Sequence, residues 1–418
     1  MWNKLKNSPE NPFIHKDYVF FWFGRLATSL ATFSIAVALG WQVYAMARLE
    51  YSVEVSAFYV GMLGLVQFLP LFLLALSAGE TVDRYNRRNI ILICSALQCT
   101  CAVLLALVAA YARNNLYAVL AIASLFGVAR AFAMPAGSAL SPMLVPKAIL
   151  PRAVAFNTLA MQMGMILGPW LGGVLSAYSV VLSYALPAML YLLGAVAFSR
   201  ITTSTAPEKP QASRLVMIKE GLLWLRANPV VLGAISLDFV AVLLGGVTAL
   251  LPVYAKDILQ IGADGFGLLR SAMAVGAVAT TLLLAFQPIR RYAGLLMLGA
   301  VAVFGAATII FSLSRLLWLS LVALMIAGGA DAISVFIRQN LVQIVTPDHM
   351  RGRISAVSTL FISASNELGE FESGMLARMV GPIASAVIGG AGSMMVVGIW
   401  AKIFPDLRKV DRIEAATR

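Results

Sequence analysis

Twelve stretches of about 20 mostly apolar residues recur along the chain, and they constrain its fold more than any other feature. A transmembrane helix needs about 20 such residues to cross the hydrocarbon core of a bilayer. Of the 418 residues, 60% are hydrophobic and only 12% are charged, whereas about a quarter are charged in soluble domains. The sequence therefore predicts an all-α membrane protein with twelve transmembrane helices, at roughly 18–47, 56–78, 89–111, 116–142, 153–177, 180–199, 229–254, 265–286, 293–313, 316–338, 354–379 and 382–404.

The distribution of Lys and Arg predicts the orientation of these helices. Cytoplasmic loops of membrane proteins carry an excess of positive charge, and an internal N-terminus assigns 22 of the 31 Lys and Arg residues to the inner side. Both termini are therefore expected in the cytoplasm. The net charge of +12 has the same origin. Its basic residues are scattered over short loops and form no patch that would bind nucleic acid.

The longest predicted connection divides the chain into halves. It begins with a Pro-, Ser- and Thr-rich stretch and continues with four apolar residues at helical spacing, Leu215, Ile218, Leu222 and Leu225. This pattern predicts a helix on the cytoplasmic membrane surface. We therefore expect an N-terminal six-helix bundle at 1–199, a linker at 200–228, and a C-terminal six-helix bundle with a cytoplasmic tail at 229–418.

The two halves also repeat each other. A shift of 201 residues aligns them without a gap from the fourth predicted span into the fifth, and it pairs Pro146 with Pro347 and Arg152 with Arg353. The shared loop proline and arginine favour duplication over a chance match of apolar helices. Two pseudo-symmetric six-helix bundles joined by a long linker are the arrangement of transporters whose site lies between the halves.

The loop between the second and third spans carries the first family motif. GETVDRYNRR, at Gly79–Arg88, is similar to the signature loop of the major facilitator superfamily, G-x-x-x-D-[RK]-x-G-[RK]-[RK]. Asn86 replaces the usual glycine, and asparagine also tolerates the left-handed backbone. The resemblance implies that Asp83 latches a cytoplasmic gate by contacting the start of span 11, while the arginines also set topology. The predicted gating loop comprises Gly79, Asp83, Arg84, Arg87 and Arg88.

The fifth span carries a second motif of the same superfamily. GMILGPWLGG matches its antiporter signature, G-x-x-x-G-P-x-x-G-G, at Gly164, Gly168, Pro169, Gly172 and Gly173. The resemblance implies export, with a bend that seals the outer side, whereas tight helix packing is the alternative role for these small residues. The segments around Arg130 and Arg353 further resemble a bacterial branch with enterobactin exporters and secretion permeases. That branch implies the cytoplasmic (inner) membrane.

Ionisable side chains within the spans form the candidate site. Each costs a few kcal/mol at the bilayer centre and should face protein or water. The resemblance implies that spans 1, 4, 7 and 10 line a cavity, so Arg130, Asp238 and Asp331 are expected to form its charged lining. Arg130 and Asp331 are expected to form a charge pair that breaks on proton or substrate binding. Arg25 and Arg270 lie near span ends and are expected to snorkel.

The eleventh span carries an unusual number of charges. Asn366, Glu367 and Glu370 share one helix face, whereas Glu372 points elsewhere. Burial and a neighbouring like charge both favour the protonated form of a carboxyl group. One of Glu367 and Glu370 is therefore expected to exchange a proton, and a structural salt bridge that locks the bundles is the alternative. The preceding cytoplasmic loop adds two candidate residues, Arg351 and Arg353.

Together these features predict a proton-coupled antiporter that exports a siderophore or an amphipathic drug by alternating access. A proton-coupled importer and an intramembrane enzyme are the alternatives. No phosphate-binding loop of an ATPase is present, and Cys94, Cys99 and Cys101 share one apolar span without a nearby histidine. We therefore expect no metal or cofactor. The expected partners are protons, a small-molecule substrate and the lipid bilayer, and the expected state is a monomer.

Overall fold

A computed structural model describes residues 11–111, 115–203, 214–287, 289, 291–347 and 350–411. The side chains at 214–218, 351, 352, 355, 356 and 359 lie outside this description. Nearly all of the described residues are helical, and no strand occurs among them. The predicted all-α class is therefore confirmed.

Twelve long helices follow one another along the chain, one for each predicted span. They are α1 (Lys16–Glu50), α2 (Val53–Arg84), α3 (Arg87–Tyr111), α4 (Leu116–Leu140), α5 (Leu150–Tyr178), α6 (Val180–Ser199), α7 (Pro229–Gly245), α8 (Gly262–Phe286), α9 (Ala293–Leu313), α10 (Leu317–Val345), α11 (Arg351–Val380) and α12 (Pro382–Ile403). Short helical turns at Val247–Leu250, Leu251–Val253 and Tyr254–Ile258 extend α7.

Eleven of these segments within the described part of the chain are long and apolar enough to cross a membrane. The remaining helix, α11, has 30 residues but carries Glu367, Glu370 and Glu372. At 1.5 Å per residue it is about 45 Å long, which exceeds the roughly 30 Å hydrocarbon core. Its length suits a span, and its glutamates require contact with protein or water. The twelve-helix membrane fold is confirmed.

Local sequence signals set several helix ends. Asn86 accepts hydrogen bonds from the backbone N–H groups of Arg88 (3.0 Å) and Asn89 (3.4 Å) at the start of α3. It therefore serves as a helix cap, and it is not among the described residues with left-handed backbone. Gly381 separates α11 from α12 with φ of 88°, and Pro382 begins α12. This order of a glycine after one helix and a proline at the start of the next follows their backbone preferences.

The chain forms two compact units. The first contains Met1–Gln42 and Leu69–Ser213, and the second contains Val43–Phe68 and Arg214–Arg418. The last turns of α1 and the first half of α2 therefore belong to the second unit. The predicted bundle and linker boundaries at 199 and 229 stay predictions, and residues 204–213 of the linker lie outside the described part.

In the first unit, α3 packs against α4 and α6. Aromatic side chains near the start of α1 attach it to α5. The Tyr18 hydroxyl donates a hydrogen bond to the Ala153 carbonyl, and the Trp22 indole N–H donates to the Phe156 carbonyl, each at 2.8 Å. These bonds satisfy the polar tips of two large side chains within an apolar cluster.

In the second unit, α10 packs against α8 and α9, and α7 packs against α11 and α12. The C-terminal segment supplies a cap for α9. Its backbone carbonyls at Asp411 and Val410 accept hydrogen bonds from the N–H groups of Ala293 (3.1 Å) and Gly294 (3.0 Å). These N–H groups have no partner within their own helix, so the C-terminal segment is part of the folded unit.

A further helix, Arg214–Ala227, follows the linker stretch and is called the linker helix. Its Leu225 is buried in a cluster with Val231 of α7 and Ile354 of α11, whereas Leu222 is exposed. The side chains of Leu215 and Ile218 lie outside the described part. The position of this helix on a membrane surface stays a prediction.

The predicted repeat matches the helix positions. Leu116 and Leu317, the first residues of α4 and α10, are 201 positions apart. Leu150 and Arg351, the first residues of α5 and α11, have the same separation. The alignment found in the sequence therefore extends to the starts of both helix pairs, which supports duplication.

Candidate functional site

A buried ion pair joins α7 to α10. The Arg338 guanidinium on α10 lies 3.4 Å from an Asp238 carboxylate oxygen on α7. Both residues are almost fully buried, with 1% and 5% of their surface exposed. Ser334 lies 3.5 Å from the other carboxylate oxygen and can donate to it. Removal of Arg338 would leave the buried Asp238 carboxylate without its cation, which is strongly unfavourable.

Asp331 lies within electrostatic reach of both members of this ion pair. It shares a face of α10 with Ser334 and Arg338, three and seven residues further along. It interacts favourably with the Arg338 charge and unfavourably with the Asp238 charge. Its carboxylate forms no ion pair with any residue in the described ranges. The three ionised side chains carry one net negative charge, so a single proton makes the group neutral.

α8 and α11 fix the helix that carries this group. Arg338 donates a hydrogen bond to the Ser358 hydroxyl of α11 at 3.3 Å. One turn before Asp331, a Cβ atom at Gly328 of α10 would collide with the Met273 backbone of α8. Glycine is therefore required where α10 approaches α8 backbone to backbone. Tight packing holds the charged face of α10 towards α7.

The glutamate-rich part of α11 forms a second charged group. Glu370 lies 3.7 Å from the Arg270 guanidinium of α8, and both side chains are about a quarter exposed. Arg270 was expected to extend its guanidinium towards the membrane surface. In the structure this guanidinium has a protein partner, Glu370. Asn366 is exposed and donates to the Ile362 carbonyl of its own helix at 3.0 Å. Glu367 is partly buried on the same helix.

The ion pair with Arg270 favours a structural role for Glu370, in which it holds α11 to α8, over a role in proton exchange. A carboxylate already paired with a guanidinium gains less from a proton than one without an ion pair. Glu372 lies 3.5 Å from the hydroxyl of its neighbour Ser373, away from the Glu370 pair. The predicted proton exchange at Glu367 or Glu370 stays a prediction.

Arg130 lies in the first unit. It is partly buried on α4, within electrostatic reach of Tyr191 on α6. The buried Tyr191 hydroxyl shares a hydrogen bond of 2.9 Å with Thr32 of α1. Arg25, also on α1, packs against Gly137 of α4. Arg130 and Asp331 belong to different units, so their predicted charge pair stays a prediction.

The glycines of the antiporter-like motif form a packing surface between α5 and α1. A Cβ atom at Gly164 would lie 2.6 Å from Cβ of Ser29, and one at Gly168 would lie 2.7 Å from Cβ of Phe33. Gly172 similarly contacts the backbone of Ser34. Spacing of four residues places all three glycines on one face of α5. Pro169 and Gly173 are buried on the same helix.

The gating-loop residues occupy a tight helical junction. Gly79, Asp83 and Arg84 lie in the last turns of α2, and α3 begins at Arg87. Arg88 donates hydrogen bonds to the Phe198 and Ser199 carbonyls at the end of α6, where a cation is favoured by the helix dipole. Asp83 and α11 belong to different units, so the predicted contact between them stays a prediction.

The first turn of α11, which contains Arg351 and Arg353, contacts the linker helix. The Arg353 guanidinium lies 2.6 Å from the Glu220 carboxylate, and Gly221 packs against the Arg353 backbone. The side chain of Arg351 lies outside the described part. Arg353 thus anchors the linker helix to the start of α11.

Arg338 is the site residue that the sequence reasoning missed. The tenth predicted span ended at this residue, because a charged side chain lowers hydropathy, whereas α10 continues to Val345. A usable signal was present. Asp331 and Arg338 are seven residues apart, so they share a helix face and can meet one partner on a neighbouring helix.

Comparisons with known proteins agree with this architecture. Residues 7–418 match the family model described as transmembrane secretion effector. The chain is 27% identical over 387 residues to the enterobactin exporter EntS of Escherichia coli O1:K1 / APEC, and the match covers 92% of each chain.

Two solved structures share the fold at lower identity. A D-xylose–proton symporter superposes with a TM-score of 0.73 at 15% identity, covering 94% of this chain and 98% of the symporter. The POT family transporter PepTSo superposes with a TM-score of 0.73 at 11% identity, covering 94% and 99%. These likenesses support the transporter fold and carry no substrate assignment.

Proposed function

Because the chain belongs to the transmembrane secretion effector family of the major facilitator superfamily, we propose that it exports a small molecule across a bacterial cytoplasmic membrane in exchange for protons. Its identity with an enterobactin exporter supports the export direction and a siderophore as the substrate class, with an amphipathic drug as the alternative. Family membership removes the intramembrane-enzyme alternative, because this family and fold are those of transporters.

Proton coupling is supported by one observation, a second carboxylate, that of Asp331, within electrostatic reach of the buried Asp238–Arg338 ion pair. Asp238 is the partner of Arg338 in the ion pair. Asp331 is the residue that binds and releases the proton. Its protonation changes the net charge of the group from minus one to zero. A charge in the bilayer interior costs a few kcal/mol, so this change is large enough to alter the balance between two transporter conformations.

The charged groups on the surrounding helices support Asp331 as the proton acceptor. Among the described residues, α9 carries no ionisable side chain, and those of α8 are Asp264 and Arg270 near its first turns. Arg270 is already paired with Glu370 of α11. Asp331 can therefore take up a proton without the loss of an ion pair of its own.

Transport by inside-out membrane vesicles with an acidic interior tests this proposal. We expect gradient-dependent accumulation of enterobactin, tested beside the cationic dye ethidium. Asp331→Asn should lower this accumulation by at least about tenfold, since the variant loses a charge change worth a few kcal/mol. Exchange of labelled for unlabelled substrate without a gradient should persist, because the binding site remains.

Asp264→Asn is the matched control, because Asp264 is exposed in the first turn of α8. This variant should accumulate substrate at the parental rate. Parental gradient-driven accumulation by Asp331→Asn would contradict the coupling role. Accumulation by right-side-out vesicles under an inward proton gradient would instead identify a proton-coupled importer, the remaining alternative.

A further inference from the structure

The last turns of α1 are attached to the irregular extension of α7 through one carboxylate. Asp257 lies in the π-helical turn Tyr254–Ile258 and accepts a hydrogen bond from the Tyr44 hydroxyl. Its other oxygen lies 3.3 Å from the Arg48 guanidinium. Tyr44 and Arg48 are four residues apart on one helix face. Both carboxylate oxygens of Asp257 are thus bound by α1, within the second unit.

The backbone around Asp257 departs from a regular helix. α7 ends at Gly245, a 3₁₀ turn follows at Val247–Leu250, and the π-helical turn comes after it. Single π-helical turns are rare and occur frequently at functional sites. The adjacent Lys256 ammonium lies 6.0 Å from the centre of the Tyr44 ring, so a second cationic side chain faces the same end of α1.

A second contact holds the segment Val43–Phe68, formed by the end of α1 and the first half of α2. A Cβ atom at Gly61 of α2 would lie 2.9 Å from the Glu370 carbonyl of α11, and one at Gly374 would lie 2.8 Å from the Gly61 Cα. Glycine at both positions lets the two backbones touch. Helices α2 and α11 therefore form a close-packed seam, and Asp257 binds the same segment at α7.

We propose that Tyr44, Arg48 and Asp257 form a releasable latch that must open before the seam between α2 and α11 separates during transport. Alternating access in this fold requires the first six helices to move against the last six. Val43–Phe68 belongs to the first six helices by sequence but packs within the second unit. The Arg48 and Asp257 side chains are 27% and 24% exposed, so water can replace their contact when it breaks.

Cysteine labelling of the full chain in lipid nanodiscs tests this latch. Ala57 is buried on α2, and its backbone lies against Gly374 of α11. Ala57→Cys therefore provides a probe of the seam in a chain whose Cys94, Cys99 and Cys101 are replaced by alanine. Asp257→Asn should raise the rate of maleimide reaction roughly fivefold, the change in open population that corresponds to about 1 kcal/mol. Exchange of the charges, Arg48→Asp with Asp257→Arg, should restore the parental rate.

Two controls make the result specific. Asp264→Asn removes an exposed carboxylate nearby in sequence and should leave the labelling rate unchanged. A cysteine in place of Ala123, which is buried in α4, should stay unreactive in every variant. Parental labelling of Ala57→Cys in both Asp257→Asn and Arg48→Gln would overturn the latch, as would an equal rise in the labelling of the Ala123 probe. The assay needs no substrate or gradient, so its outcome is independent of proton coupling.

Discussion

Arg338 is among the largest fully buried side chains of the described chain, with 1% of its surface exposed. Its charge is balanced by Asp238, and one of its nitrogens donates to Ser358. Its Nε atom has no hydrogen-bond partner in the described part of the chain. A guanidinium that is not fully hydrogen-bonded can rearrange at lower cost, which suits a group that responds to protonation of Asp331.

Replacement of this arginine should destabilise the protein. Arg338→Gln leaves Asp238 buried without its cation, which costs about 3–5 kcal/mol for a buried pair. We expect a lower melting temperature of the detergent-purified protein, measured by its loss of monodispersity on heating. The added change Asp238→Asn should recover most of the loss, because it removes the carboxylate that Arg338→Gln leaves without its cation. Arg84→Gln changes an exposed arginine of α2 and should have the melting temperature of the parent protein. If the double variant did not recover stability, the ion pair would not be the cause of the loss.

At the scale of helices, glycine determines which pairs approach closely. Three glycines of α5 face α1, two of α2 and α11 meet at the seam, and Gly328 of α10 faces α8. A membrane removes the hydrophobic driving force between helices, so close packing of small residues contributes much of their association. The antiporter-like motif therefore has a direct structural role at α5, beside the export role that the resemblance implies.

Alanine substitution distinguishes glycines that pack against another helix from glycines that have no neighbouring atoms. Gly168→Ala should destabilise the protein by roughly 1–3 kcal/mol through overpacking, since its Cβ would lie 2.7 Å from Cβ of Phe33. Gly398→Ala on α12 meets no atom within 4 Å and should be neutral or slightly stabilising, because alanine favours helix formation. Thermal unfolding of the two purified variants checks this difference. Equal melting temperatures of the two variants would show that the contact between α1 and α5 can accommodate the added Cβ atom without loss of stability.

At the scale of the whole molecule, the units do not follow the order of the sequence. Each unit contains parts of α1 and α2, with the change after Gln42 in α1 and after Phe68 in α2. The predicted division of the chain at the central linker stays a prediction. The orientation of the whole molecule in the membrane is predicted to place both termini in the cytoplasm.

Reporter fusions test that orientation. A fluorescent protein that matures only in the cytoplasm should fluoresce when joined after Arg418. Alkaline phosphatase, which is active only outside the cytoplasm, should be active when inserted between Tyr51 and Ser52, at the short turn between α1 and α2. The excess of Lys and Arg on the predicted inner side is the physical reason. The reverse pattern of activity would require the opposite orientation.

The sequence predicted the helices better than their contacts. Apolar length alone located all twelve, and the rule that buried charges need partners drew attention to Asp238 and Asp331. Arg338 escaped because hydropathy falls at a charge, whereas packing carries α10 on to Val345. The Arg270–Glu370 pair depends on how α8 and α11 are positioned along each other's axes. Apolar periodicity predicts neither this axial position nor the backbone contact at Gly61.

The cap on α9 has a practical consequence for work with this protein. The carbonyls of Val410 and Asp411 bind the first N–H groups of α9, and the Asp411 side chain accepts from the Tyr292 N–H at 2.9 Å. A purification tag that replaces the chain from Val410 onward would uncover a helix end. The same tag placed after Arg418 would leave these acceptors in the protein, so expression vectors for this transporter should keep Val410 and Asp411.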